Sequence, residues 1–353
     1  MFRFLGKQEN NVKRTFLLGE RSLRAYLAGG NVRFLKDAEA SLSVIGPNAK
    51  QYRDARFYLG ITKAQLRKAD ESIDILKKLQ ASVSSEKESG PEIDFVDQVS
   101  LQLAYAHIKK YTDDDFDAAK NILGTLVSSA SAKDFAELRL QAKSLLAFLY
   151  SVMAGYSKRV EQKSEFVREA RKIGEEVLID SQTSPAVRFE ALNALGIAWM
   201  RFAENSRDKI ASPEEVAAVA SQAAGRTSTI KRGWDGIGDT EDGWAKAEDY
   251  FNQALAIVPN SVRVLQNKAT SRRLQVKQGV ASPALLTEAE DLVKRSLEIN
   301  DQDQFPFYQL ALIAVEKRDK ASALNYIHEG LDKPGAVKEK EWVAVRSAAE
   351  ALP

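Results

Sequence analysis

The sequence predicts an all-α chain, and three observations carry that prediction. Apolar residues recur at helical spacing through nearly every segment, as at Val12, Phe16, Leu23 and Leu27 and again at Val216, Val219, Ala220 and Ala223. No run alternates apolar and polar residues as a half-buried strand would. Three Ser-Pro pairs, Ser184-Pro185, Ser212-Pro213 and Ser282-Pro283, mark helix starts. The serine accepts a bond from an orphan first-turn N–H, and the proline lacks the N–H that would go unpaired next. At 212 the signal is stronger, because Glu215 completes a capping box and Gly225 suits a helix end.

Length and composition leave the architecture open but bound the class. A chain of 353 residues with 44% hydrophobic and 28% charged residues buries a core and does not read as a disordered tail. A formal net charge of +2 gives no general attraction to nucleic acid or anionic membrane, so any basic site is local. Without cysteine there are no disulfides, thiol nucleophiles or thiolate metal sites. The start, MFRFLGKQENN, is too short in apolar residues for a secretory signal. The apolar run LLAFLYSVMAGY at 145–156 is well under the roughly 20 residues of a membrane span. The expectation is a buried helix in a cytoplasmic protein, with no membrane insertion.

Along the chain one pattern repeats, a small or apolar residue followed by apolar residues four and then three positions on. It occurs at Ala38, Leu42, Ile45; at Ser72, Leu76, Leu79; at Ala119, Leu123, Leu126; and at Ala170, Gly174, Val177. It returns at Ala247, Phe251, Ala254; at Ala289, Val293, Ser296; and at Ala323, Ile327, Gly330. The distance from Ala38 to Ser72 is 34 residues, and so is that from Ala289 to Ala323. Partner helices show in LNALGIAW, with Leu192, Leu195, Gly196 and Trp199, and in Phe307, Leu310, Ala311 and Ala314, with a partial match at Leu59-Gly60.

These residues, with Trp244 at a helix head and Pro259 after its end, resemble the tetratricopeptide repeat (TPR) family, whose small residues let two helices approach while an aromatic fills the gap. The resemblance implies a right-handed α-solenoid of about seven TPR-like helix pairs with a C-terminal capping helix. On this reading residues 1–335 form the helical-repeat array and 336–353 the cap, where KEKEWVAVRSAAEA sets charges beside Trp342, Val343 and Val345. The polar stretch SSEKESGP, 84–91, reads as a connection between units. The array is interrupted at about 204–243, between a first helix at 186–203 and its partner at 244–257.

The interruption holds KRGWDGIGDTEDGW, 231–244, whose glycines fit no dinucleotide or phosphate-loop spacing and whose aspartates lack calcium-loop order. Two readings stand: an excursion that folds Trp234 back on the solenoid, or an accessory arm in which helix 213–224 and Trp234 contact a partner. No residues read as catalytic, and no metal or cofactor is expected. His107 and His328 lie far apart and outside any metal or nucleophile signature, and YTDDDFD at 111–117 reads as a helix N-terminus complemented by acidic side chains.

Members of the TPR family mostly bind peptides or proteins in the groove lined by their first helices. By phase, the resemblance implies groove-facing side chains at Phe57, Tyr105, Asn193, Arg263, Gln266, Arg273 and Tyr308, with Trp234 as a further partner-binding candidate. The Lys and Asn set with which some members clamp a C-terminal carboxylate is missing. The leading expectation is a non-enzymatic scaffold or adaptor that binds a peptide or protein partner. The alternative is a nucleic-acid-associated or regulatory subunit. It would use the basic helix 261–279, where Arg263, Lys268, Arg272, Arg273 and Lys277 have no acid beside them, and the basic N-terminus.

Overall fold

A computed structural model describes residues 2–29, 31–85, 91–129, 136–207, 243–333 and 337–353. Among these there are fifteen α-helices and no strand. They run as antiparallel pairs: α1 (Phe2–Leu27) with α2 (Arg33–Ser43), α3 (Tyr52–Gln65) with α4 (Ala69–Ser85), and α5 (Pro91–Ile108) with α6 (Asp113–Ser128). Next come α7 (Ala136–Tyr156) with α8 (Val160–Ile179), α9 (Pro185–Arg207) with α10 (Gly243–Ile257), α11 (Val262–Lys277) with α12 (Leu285–Ile299), and α13 (Gln304–Glu316) with α14 (Lys320–Leu331). The last helix, α15 (Glu339–Glu350), packs on the seventh pair. Each helix touches its neighbours in the chain, which is the layout of a solenoid.

The small residues of the repeated pattern do what their size allows. Ala38, Ser72, Ala119, Ala170, Ala247, Ala289 and Ala323 are all fully buried, one in the second helix of each pair. In the second pair the Ser72 hydroxyl donates to the Gly60 carbonyl at 2.7 Å, so the polar member of the set is satisfied across the contact. In the fifth pair a methyl at Gly196 would stand 2.5 Å from Phe251 Cε1, so the ring occupies the place of the missing side chain. Trp342 of α15 lies against Gly330 in the same way and meets the Tyr308 ring edge-on, with 5.4 Å between centroids. This covers the last pair.

The helix starts follow the capping logic with one offset. Ser184 Oγ accepts from Val187 N ahead of α9, and Thr112 accepts from Asp115 N ahead of α6. At Ser282-Pro283 the chain first makes two tight turns, Leu285 N to Ser282 O and Leu286 N to Pro283 O, so α12 begins at Leu285. Several pairs turn from first to second helix through a residue in the left-handed region: Arg67 (φ 63°), Tyr111 (φ 56°), Gly279 (φ 67°) and Arg318 (φ 61°). At Arg67 the turn is closed by Lys68 N to Lys63 O, and at Arg318 by Asp319 N to Ala314 O. Only one of these four is glycine, and the three others hold a conformation that costs roughly 1–3 kcal/mol each.

The spiral also returns on itself. Val32 N donates to Ile299 O at 3.2 Å, Asn31 Nδ2 to Glu298 O at 3.4 Å, and Lys36 Nζ to Gln302 Oε1 at 3.2 Å. Arg67 grips Asp303 through two nitrogens, at 2.7 and 3.2 Å. The first two pairs therefore meet the turn between α12 and α13, and the open spiral expected from the resemblance is closed by a seam. The segments 208–242 and 86–90, where the sequence places an expected helix at 213–224, Trp234 and most of the polar connection, lie outside the described residues.

Among the described residues no helix is long and apolar enough to cross a membrane. Among them, too, no three His, Asp or Glu side chains gather as a metal site would require.

Candidate functional site

The inner side of the spiral holds an open cavity of about 890 Å³, with walls from the first pair through α15. One cluster of polar groups on its wall is drawn from several pairs. Arg67 enters from the turn after α3, Lys109 and Tyr111 from the turn after α5, Tyr105 from the last turn of α5, Arg263 from the start of α11, and Tyr26 from the end of α1. The left-handed turns are what set Arg67 and Tyr111 at the ends of their first helices, facing inward.

Charge in this cluster is mostly compensated. Arg67 pairs with Asp303, and Arg263 Nη2 binds both oxygens of Glu190 at 2.5 and 2.6 Å while its guanidinium lies over the Phe148 ring at 5.2 Å. Burial alone would weaken both guanidiniums, but their carboxylates keep them firmly charged. Lys109 is different. Its ammonium lies 5.0 Å from the Tyr105 ring centroid, and burial, together with the Arg67 and Arg263 charges, pushes it down to about 8. Burial would raise Tyr111, yet Lys109 and Arg67 pull it below its ordinary value, whereas burial takes Tyr26 up to about 12.

The sequence-derived candidates divide. Tyr105, Arg263, Gln266 and Tyr308 line the cavity. Three others do not, because the helices use them internally. Phe57 is 9% exposed with its ring 5.4 Å from Phe95, Asn193 is buried and accepts from Asn267 at 3.0 Å, and Arg273 is bound to Glu316 at 2.6 Å. Gln266, although on the wall, is itself nearly buried and donates to Ser296 Oγ at 3.4 Å. Trp234 lies outside the described residues. Arg67, Lys109 and Tyr111 were missed, since phase arguments address helix faces and not the turns that end them.

The basic helix changes meaning in three dimensions. In α11, Arg263 pairs with Glu190 of α9, Lys268 and Arg272 with Glu248 of α10, Arg272 also with Glu288 of α12, and Arg273 with Glu316 of α13. The acids absent from the local sequence arrive from neighbouring helices, so this helix presents no free basic stripe for a phosphate backbone. The acidic run at 111–117 likewise serves the fold. Asp115 accepts from Thr112 Oγ1 and lies 2.6 Å from His107 Nδ1, sealing the head of α6.

No family model matches the chain, and no curated protein matches it. Among solved structures it is similar to a tetratricopeptide repeat protein from Parabacteroides merdae. The identity is 12%, 96% of this chain and 99% of that chain are covered, and the TM-score is 0.47. A thermophilic TPR protein of Thermus thermophilus gives 14% identity over 72% and 100% of the two chains with a TM-score of 0.45. The TPR2AB domain of yeast Sti1, in a pHSP90 complex, gives 13% over 85% and 99% with a TM-score of 0.32. The helix pairs, their small-residue contacts and their inner wall define the class: an α-solenoid of stacked helical hairpins.

Proposed function

We propose that this chain is a non-enzymatic interaction scaffold that takes a segment of a protein partner on the inner wall of its spiral. The observation that supports it most is the composition of that wall. Its cavity of about 890 Å³ is fed by the first helices of successive pairs and sets aromatic rings such as Tyr105 and Tyr308 beside amides and guanidiniums. An extended segment needs pockets for side chains and donors or acceptors for its backbone, and this mixture supplies both. The cytoplasm is the compartment that goes with this reading, to be checked by cell fractionation.

Photo-cross-linking in cells tests the proposal. A photoreactive residue at Tyr308, on the wall, is expected to capture a discrete protein, whereas one at exposed Val343 on the outside of α15 is not. Capture of the same species from both positions, or from neither, counts against the inner wall. The nucleic-acid alternative rests now chiefly on the N-terminal basic residues, because Arg263, Lys268, Arg272 and Arg273 of α11 are engaged; binding with a steep salt dependence would revive it.

A further inference from the structure

We propose that the cavity also holds a small organic anion, with its phosphate or carboxylate group against the Lys109 ammonium and its body among the tyrosines of the inner wall. The first support is a count of charges. Of the cations on this wall, Arg67 has Asp303, Arg263 has Glu190, Lys68 has Glu39 and Arg201 has Glu204, while Lys36 bonds Gln302. Among the described residues Lys109 has no carboxylate within ion-pair distance, and its ammonium lies over the Tyr105 ring, 5.0 Å from the centroid. A desolvated ammonium without a counterion is costly, and the fold has not supplied one.

The second support is the surroundings. Two guanidiniums, Arg67 and Arg263, reinforce the positive potential at Lys109, and Lys109 with Arg67 pulls the neighbouring Tyr111 hydroxyl toward ionisation against the effect of burial. Tyr111 is stacked on Tyr156, 5.6 Å between centroids, and Tyr156 in turn faces the Lys338 ammonium at 5.8 Å. The anchoring groups are thus fixed in place before any ligand arrives. The third support is size, since about 890 Å³ lies within the range of roughly 300–1,000 Å³ typical of small-molecule sites. Two of the wall's polar groups, Arg67 and Tyr111, are held there by left-handed backbone that the turn would adopt more readily with glycine.

The ligand's charge dictates a pH signature. The groups facing Lys109 are Tyr111 and Tyr105 from its own pair, Arg67 from the second pair, Arg263 from α11 and Asp303 from the turn before α13. The arginines stay charged throughout, while Lys109 loses its proton near 8 as the pH rises. Affinity for an anion should therefore be full near pH 7 and fall as pH passes 8 to 9.

This reading goes beyond the scaffold, because the ligand is a small molecule and not a partner's chain, and the two stand or fall on different readouts. The test is isothermal titration of the full chain with phenyl phosphate, benzoate and inorganic phosphate, and with benzyl alcohol as the uncharged comparison. Saturable binding of at least one anion at pH 7, none of benzyl alcohol, and about a tenfold or greater loss in Lys109→Gln are expected. Lys109→Arg should keep binding at pH 9.5 where the natural chain has lost it. Phosphate and carboxylate probes separate the two head-groups. Absence of saturable binding by all three anions, equal binding to Lys109→Gln, or an affinity unchanged between pH 7 and 9.5 overturns the proposal.

Discussion

Gly196 shows how much one hydrogen atom in place of a side chain decides. Its α9 backbone approaches α10 so closely that the Phe251 ring fills the space of the absent methyl. Gly196→Ala is expected to destabilise by about 1–3 kcal/mol in urea denaturation, the usual effect of overpacking, and Phe251→Leu in the same chain should return part of that loss. A pair of independent, additive losses would show that the contact is not the cause. Both residues were legible in the sequence, Gly196 in LNALGIAW and Phe251 at the pattern's centre, because close helix packing needs a small residue and a large one in register. Asp115 belongs to the same scale. Burial pushes its carboxyl up, but the bonds from Thr112, His107 and Lys110 outweigh burial and hold it below the ordinary carboxylate value. A depressed folded value means the stabilisation is present above the unfolded value, about 3.9, and is lost as pH falls through the folded one. Asp115→Asn should therefore lower stability at pH 7 and flatten the acid limb between about pH 5 and 2, as measured by thermal unfolding across pH.

At the scale of the element, α11 was read correctly as a helix and incompletely as a surface. Its apolar positions Val264, Leu265, Ala269 and Leu274 are buried as spacing requires, but the partners of its cations lie 16 to 73 residues away. Charge pairing between solenoid layers depends on which helix faces come together, and a window of local sequence holds none of that. Arg273 and Glu316 make the point testable. Both side chains are mostly buried, and burial raises the Glu316 carboxyl despite its guanidinium partner. Arg273→Ala removes the compensating charge, so roughly 1–3 kcal/mol of stability should be lost at pH 7, and less at a pH acid enough for Glu316 to take up a proton. The check is denaturation at both pH values; a loss independent of pH would place the effect in packing instead. The turns that end the first helices were the less legible elements. Arg67 and Tyr111 stand where glycine is the usual signal, so nothing in residue type announced either the left-handed turn or the inward-facing side chain.

For the whole molecule, the number of pairs could be read from the period, whereas closure could not. It arises from small rotations added over successive pairs until residues 31–36 meet 298–302, and a sequence pattern records the period without the angle. The polar contacts of the seam are few: a backbone bond, two side-chain bonds and the Arg67–Asp303 ion pair among the described residues, with Gly29 packed near Asn260 and Val258 beside them. Among the described residues only the ion pair joins opposite charges across it, which makes Arg67 the place to open it. Asp303 is unsuitable, since it also accepts from Phe305 N at the head of α13. Asn at position 67 tolerates the left-handed backbone and removes the guanidinium without adding strain there, so Arg67→Asn isolates the seam. The expected result is a larger radius of gyration by small-angle scattering and faster hydrogen exchange at the Val32 amide, which bonds Ile299 across the seam. Amides in the middle of α8, far from it, should exchange as before, because each pair is stabilised chiefly by its neighbours. Raising ionic strength should move the natural chain in the same direction, less so for an ion pair partly shielded from solvent. Identical scattering and identical Val32 exchange in Arg67→Asn would mean that the ion pair does not hold the ring shut, and that curvature alone brings its ends together.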